Sequence, residues 1–277
     1  MKKFTKIVAT ISDRRCDVDF IRDLYENGMN VVRMNSAHIQ YEGFRRIVEN
    51  VRTVSPSIGI LMDTKGAEIR TTTNLDDQNI EYQPGDKVTF IGDPKGVTDK
   101  TTIYLSYINI ARDVRPGVRF LIDDGEIAFL VDSIEGDKIY ATAQNGGSLG
   151  SRKSVNVPGV SIDLPSLTDR DRTNIGYAID LGVDFIAHSF VRSARDVLDI
   201  QEILDAHNSP IKIISKIENQ EGIDNFDEIL DVSYGIMIAR GDLGIEVPAE
   251  RIPVIQNQLI NKCILRQKPV IVATQML

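Results

Sequence analysis

Short, nearly continuous apolar runs recur along this chain, each ending in polar residues and each followed by a stretch with helical apolar spacing. The runs are KIVATIS (6–12), NVVRMNS (30–36), IGILMDTKG (58–66), DFIAHSF (184–190), KIISKIE (212–218), YGIMIARGD (234–242) and PVIVATQ (269–275). Runs that are apolar at successive positions mark strands buried on both faces, as in parallel sheets. Between them lie amphipathic helical patterns at 17–28, 41–54, 193–208 and 252–267. Ser193 is placed to cap the third of these. Thr168-Asp-Arg-Asp171 reads as a capping box, with Asp where Glu is commoner, opening a further helix. Strand–helix alternation of this kind predicts βαβ units with right-handed crossovers.

One region breaks the rhythm. From Ala67 to Ile162 the segments are short, alternate with period two and are bounded by Gly, Pro and Asp, as in GDKVTF (85–90) and GDKIYATAQNGG (136–147). That pattern predicts an all-β insertion, a small barrel or sandwich hung on one βα connection. Such a module often acts as a lid. The chain therefore divides into 1–66, a first part of an α/β unit; 67–162, the inserted lid; and 163–277, its second part.

The polar residues fall at the C-terminal ends of the strands, where a (β/α)₈ barrel builds its site. Only seven strand candidates are present, so the reading is an α/β barrel of TIM type, incomplete by its eighth strand. A doubly wound open sheet is the alternative, but no Gly-x-Gly-x-x-Gly turn follows any strand.

Composition narrows the function classes. The 277 residues are 42% hydrophobic and 26% charged, with a formal net charge of −8, ordinary values for a globular domain. The negative balance disfavours nucleic acid or a membrane surface as partner, and no apolar run approaches the length of a membrane span. The basic start MKKFTKIVATIS runs directly into charged residues, unlike a secretory signal. Cys16 and Cys263 form no ligand spacing, which fits a reducing, cytoplasmic setting. His38, His188 and His207 show no zinc spacing, and His207 reads as a helix-end residue.

Candidate chemistry collects at the strand ends. Side chains two apart on a strand share a face, so Arg33 pairs with Asn35, Asp63 with Lys65, and Lys216 with Glu218. Asp242 closes the sixth run inside ARGDLG, and Thr274 lies near the end of the seventh. In a barrel these converge on one mouth. Glu218 and Asp242, from adjacent strands, are what a hard divalent ion takes, with water or substrate phosphate completing the shell. Lys216 and Arg33 would face the charge on a transferring phosphoryl group. Taken singly, each has a plainer reading: a charged strand end is usually a solvated rim residue, and Asp123-Asp124-Gly125 is first of all a hairpin turn. Convergence is what lifts the set.

The stretches GMNVVRMNSAH (28–38), MDTKGAEIR (62–70), DDG (123–125), NVPG (156–159), DLPSLTDRD (163–171), ISKIENQEG (214–222), IMIARGDLGIEVP (236–248) and ATQML (273–277) closely resemble the pyruvate kinase family, in its order and spacing. The resemblance implies a (β/α)₈ barrel with a β-barrel lid and phosphoryl transfer between phosphoenolpyruvate and ADP, giving pyruvate and ATP, with Mg²⁺ or Mn²⁺ and commonly K⁺. It implies divalent-metal ligation by Glu218 and Asp242 and phosphoryl stabilisation by Lys216. It gives Thr274 a place near proton delivery, and Ala239, Arg240, Gly241 and Asp242 a cradle for the substrate carboxylate. Arg33, His38, Arg70 and Arg170 become nucleotide- and phosphate-facing residues, and Asn35, Asp63 and Thr64 a K⁺ site. There are departures. Ala37 stands where the family's Ser helps hold K⁺, while Glu68 matches the K⁺-dependent form; Ala67 replaces a hinge proline, and Arg170 a common lysine. Family members continue past ATQML with an eighth strand and a C-terminal domain, so the sequence reads as an N-terminal portion whose full-length form is a homo-oligomer. The alternatives are a metal-dependent aldolase or lyase acting on a pyruvate enolate, and a catalytically inactive fragment.

Overall fold

A computed structural model describes residues 4–37 and 39–274. Seven parallel strands form one sheet: β1 (Val8–Thr10), β2 (Val31–Asn35), β3 (Gly59–Asp63), β4 (Phe185–His188), β5 (Lys212–Ile217), β6 (Gly235–Ala239) and β7 (Val270–Ala273). They lie side by side in chain order. A doubly wound sheet reverses its order at a switch point; the unbroken order here is that of a barrel wall. The sheet curls far enough for Lys216 on β5 to reach Asp63 on β3, two strands away, at 3.5 Å.

Both faces of the sheet are apolar, which is why the runs lack alternation. The concave face packs Leu61, Ala187, Ile214 and Met237 together. The convex face carries the larger core, where Val32, Met34, Ile60, Ile186, Ile213 and Ile238 meet the helices. Those helices are α1 (Val18–Glu26), α2 (Tyr41–Val54), α3 (Asp169–Asp180), α4 (Ala194–Ala206), α5 (Gln220–Asp224), α6 (Phe226–Val232), α7 (Arg240–Glu246) and α8 (Ile252–Leu265). Their starts follow the sequence signals. Asp17 accepts a hydrogen bond from Phe20 N at 2.9 Å, Thr168 and Asp171 form the capping box in both directions, and Ser193 is the N-cap of α4. His207 caps the C-terminus of the same helix.

Two expectations shift. The first run shortens to three residues, Val8–Thr10. The sixth was expected to end on Asp242, but β6 stops at Ala239 and Asp242 lies in the first turn of α7. The cause is spacing: Ala239 and Leu243 are buried while Gly241 between them is exposed, a pattern that a strand, with 239, 241 and 243 on one face, does not give and a helical turn does.

The segment from Ile69 to Asn156 forms a second sheet. Its strands run Ile69–Arg70, Ser154–Asn156, Arg119–Ile122, Ile127–Glu135, Lys138–Ala143, Lys87–Gly92 and Thr102–Leu105, in that spatial order. The first and last meet through a Thr71–Leu105 bridge and a Ser106 N–Arg70 O bond of 2.8 Å, closing a small barrel. Phe90, Phe120, Phe129 and Tyr82 fill it with edge-on ring contacts at 4.7–5.3 Å. Asp123 and Asp124 make the expected tight turn, both with positive φ, between Arg119–Ile122 and Ile127–Glu135.

His188 ends β4 fully buried. Its Nδ1 lies 3.2 Å from Thr64 Oγ1, and burial pulls its pKa down to about 4 from 6.5, against the opposing pull of Asp196 and Asp171. The imidazole is neutral in the fold, so its contribution to stability is present above pH 6.5 and lost as pH falls towards 4. The loss amounts to about 3 kcal/mol. Denaturant titrations across that window should show His188→Asn with a flatter pH dependence than the parent; superimposable slopes would contradict the assignment. In the small barrel, Phe90→Ala should cost about 3–5 kcal/mol, with hydrogen exchange rising across the insertion before the parallel strands.

Candidate active site

Four charged side chains meet above the C-terminal ends of β2, β3 and β5. Arg33 on β2 donates from Nε to Asp63 Oδ2 at 2.9 Å, donates to the same oxygen through a second guanidinium nitrogen, and reaches Thr10 Oγ1 at 2.9 Å. Lys216 Nζ lies 2.8 Å from Glu218 Oε1 and 3.5 Å from Asp63 Oδ2, and donates to Ser189 Oγ at 2.9 Å. Strand geometry explains the first pair: Lys216 and Glu218 are two apart, so both face the concave side. Asn219 then caps α5 by accepting from Gly222 N at 2.7 Å, which ends the strand just beyond Glu218.

Three of the four are deeply buried, Glu218 at 1% exposure, Asp63 at 3% and Lys216 at 8%, while Arg33 is partly exposed. Burial alone would lower the Lys216 pKa, but the charges of Glu218 and Asp63 outweigh it and hold the value above normal. Lys216 is therefore a fixed cation. Burial raises the Glu218 pKa, and the nearby Asp242 charge raises it further, against the pull of Lys216. Asp242 also acts on Arg33. Glu218 and Asp242 thus share one electrostatic environment, although Asp242 is solvent-exposed on α7.

Ser189 and Phe190, which follow β4, support this cluster and escaped the sequence reading. Ser189 donates through Oγ to Thr64 O at 2.7 Å while accepting from Lys216. Phe190 donates its N–H to Glu218 Oε2 at 2.7 Å, with φ of +56°. A bulky residue in the left-handed region costs on the order of 1–3 kcal/mol and persists where its surroundings demand it. The only signal in the sequence was the polar end of DFIAHSF.

Other candidates take different places. Ala239 is buried at the end of β6. Gly241 packs against Thr274, where an added Cβ would lie 3.2 Å from Thr274 Cγ2. Arg240, Gly241 and Thr274 line one shallow concavity, with Arg240 reaching Gln256 Oε1 at 3.3 Å. Asn35 Oδ1 accepts from Ala37 N at 3.0 Å. The Thr64 hydroxyl contacts His188 and accepts from Ser189 N. Lys65, grouped with Asp63 by spacing, bonds instead to Glu68 at 2.9 Å. Arg70 hydrogen-bonds within the insertion, to Glu68 Oε1 and Arg152 O. Arg170, in the first turn of α3, donates to Ser36 O at 3.1 Å. His38 lies outside the described residues.

A cleft of about 410 Å³ opens between the small barrel and the parallel strands. Asp124, Asn156 and Ser161 face it from one side, and Phe190, Asn219 and Asp242 from the other. Two hydrogen bonds span it, Asn156 Nδ2 to Glu246 Oε1 at 3.3 Å and Ser161 Oγ to Glu221 Oε2 at 3.0 Å. Among the described residues no group of three or more His, Cys, Asp or Glu gathers as a metal centre. Asp63 Oδ1, however, is buried without a hydrogen-bond partner, and Glu218 Oε1 has only the Lys216 ammonium beside it. Oxygens left this way suit a hard cation completed by substrate.

The barrel domain of pyruvate kinase, as a family model, matches residues 2–277. The chain is 46% identical over its whole length to pyruvate kinase of Borreliella burgdorferi, of which it covers 57%, and 46% identical to that of Geobacillus stearothermophilus, of which it covers 48%. A crystal structure of a pyruvate kinase from Cryptosporidium parvum superposes with a TM-score of 0.94 at 38% identity, over 99% of this chain and 58% of that one. The chain spans about half the length of the curated relatives it matches. A match to nearly every residue, with strands in barrel order and the charged cluster at their C-terminal ends, makes this chain a member of the pyruvate kinase family.

Proposed function

We propose that this chain carries the catalytic centre for phosphoryl transfer from phosphoenolpyruvate to ADP, giving pyruvate and ATP with uptake of one proton. The observation that carries the reading is the Arg33–Asp63–Lys216–Glu218 cluster, buried except at Arg33, beside Asp242. A phosphoryl group in transfer spreads negative charge over its oxygens, and fixed cations stabilise it without reorganising. Lys216 meets that need: Glu218, Asp63 and Ser189 immobilise its ammonium and keep it protonated. Arg33, locked to Asp63 and Thr10, adds a second fixed positive charge. Ala239 to Asp242 and Thr274 are the residues proposed for the substrate carboxylate, with Thr274 proposed near the point where the enolate gains its proton.

Glu218 and Asp242 are the residues that would hold Mg²⁺ or Mn²⁺, and Asn35, Asp63 and Thr64 those for K⁺; these ions supply positive charge to the phosphate and carboxylate oxygens. The unpartnered Asp63 Oδ1 favours the second site, although Ala37 contributes no side-chain oxygen to it. Arg33, His38, Arg70 and Arg170 are the residues proposed to face the nucleotide. The unit 67–162 would close over the cleft as a lid between 1–66 and 163–277. Among the described residues no helix is long and apolar enough to cross a membrane, which fits a cytoplasmic glycolytic enzyme, a homo-oligomer in full-length form.

In coupled pyruvate formation from phosphoenolpyruvate and Mg²⁺–ADP, Lys216→Met should lower kcat by about 10²–10³ with a smaller effect on KM. Unchanged turnover would overturn its role. Glu218→Gln should weaken Mn²⁺ binding, followed by electron paramagnetic resonance, at least about tenfold. Because the Glu218 carboxyl titrates above its ordinary range, Mn²⁺ affinity should fall as pH is lowered through that raised value. A pH-independent affinity would remove Glu218 from the metal site.

A further inference from the structure

We propose that Phe190 is a positioning residue that couples the hinges of the inserted barrel to the orientation of the Glu218 carboxylate. The inference rests on the metal-ligand reading of Glu218 and goes beyond it by naming what holds that carboxylate and what moves with it.

The turn after β4 touches both parts at once. On the site side, Ser189 accepts from Lys216 and Phe190 N–H donates to Glu218. On the other side the same turn meets both crossings into the insertion. At the outgoing crossing, Gly66 has φ of +75°, and a Cβ there would lie 2.8 Å from Phe190 Cδ2 and 3.3 Å from Ser189 Cβ. The hinge backbone rests directly on the Phe190 ring. At the returning crossing, Arg192 donates to Ile162 O at 2.8 Å and to Leu164 O at 2.7 Å, and is fixed by Asp196.

Phe190 holds a left-handed backbone conformation that aims its N–H at Glu218. Its ring, wedged on Gly66, supplies the contact that makes this conformation worth keeping. Rotation of the insertion about Gly66 therefore loads the ring, and the ring turns the amide that orients Glu218. Coupling of this kind needs a contiguous element that both sites bias, and residues 189–192 are that element.

Phe190→Gly keeps the N–H and accepts positive φ, yet removes the wedge; Phe190→Tyr keeps it. Two readouts separate coupling from plain packing. The first is Mn²⁺ affinity of the chain without substrate, where Phe190→Gly should lose about tenfold and Phe190→Tyr should match the parent. The second is hydrogen exchange at Gly66 and Ile162–Leu164. Mn²⁺ should slow it in the parent and in Phe190→Tyr, but not in Phe190→Gly held at saturating Mn²⁺. Phe190→Asn, which tolerates positive φ and also removes the ring, serves the same comparison should the glycine variant unfold. Parent-like affinity together with undiminished Mn²⁺-dependent protection in the wedge-less variant would overturn the proposal. Glu218→Gln tells the two readings apart: if it binds Mn²⁺ normally the metal assignment fails, and if it alone loses Mn²⁺ only the coupling fails.

Discussion

The structure depends on holding two carboxylates and a lysine together in a nearly dry space, with a partly exposed arginine beside them. Arg33 and Lys216 face Asp63 and Glu218 at the floor of the cleft, with Asp63 serving both cations. Removing such charges from water costs several kcal/mol per ion, and an apolar replacement of similar volume is often more stable. Nothing in folding asks for this cluster. Its cost is offset by apolar packing on both faces of the sheet, and its presence is itself an argument for a ligand whose charges complete it. Asp63 Oδ1 is buried without a hydrogen-bond partner, and burial raises the Glu218 carboxyl.

The fold makes that gathering possible through direction and curl. Parallel strands send all their C-terminal ends to one side, so residues far apart in sequence arrive at one rim. Curling brings β5 within reach of β3. The connecting turns then contribute backbone groups, as Phe190 N–H does for Glu218, which a flat antiparallel sheet with alternating strand directions would scatter over both edges.

Much of this was legible in the chain itself, and the reason differs from element to element. The strands declared themselves because burial on both faces suppresses alternation, and the insertion because period-two patterning returns. Lys216 and Glu218 were placed on one face by spacing alone, and the 2.8 Å contact follows from it. Asp242 was assigned to a strand end because ARGDLG continues an apolar run; the glycine that breaks the alternation between Ala239 and Leu243 was the stronger signal. Asp63 as counter-ion to both Arg33 and Lys216 was out of reach, since that depends on how far the sheet curls. So was Phe190, whose role lies in a backbone angle and not in its side-chain type.

The two crossings into the insertion are held very differently from the cleft above them. Asp171, fully buried, accepts from Lys65 N at 2.8 Å and from Gly66 N at 3.4 Å while capping α3, and Arg192 grips the returning strand through two carbonyls. These charge-assisted bonds lie next to the core, where they are strongest. Across the cleft, among the described residues, the insertion is joined by two single hydrogen bonds to carboxylates, Asn156–Glu246 and Ser161–Glu221. Glu246, in the first of these contacts, has its carboxyl held above its ordinary range by burial, against the opposing bond from Asn156. The crossings are thus held by more bonds, and more deeply, than the mouth of the cleft. Such a difference in attachment is what the closure proposed for unit 67–162 would need.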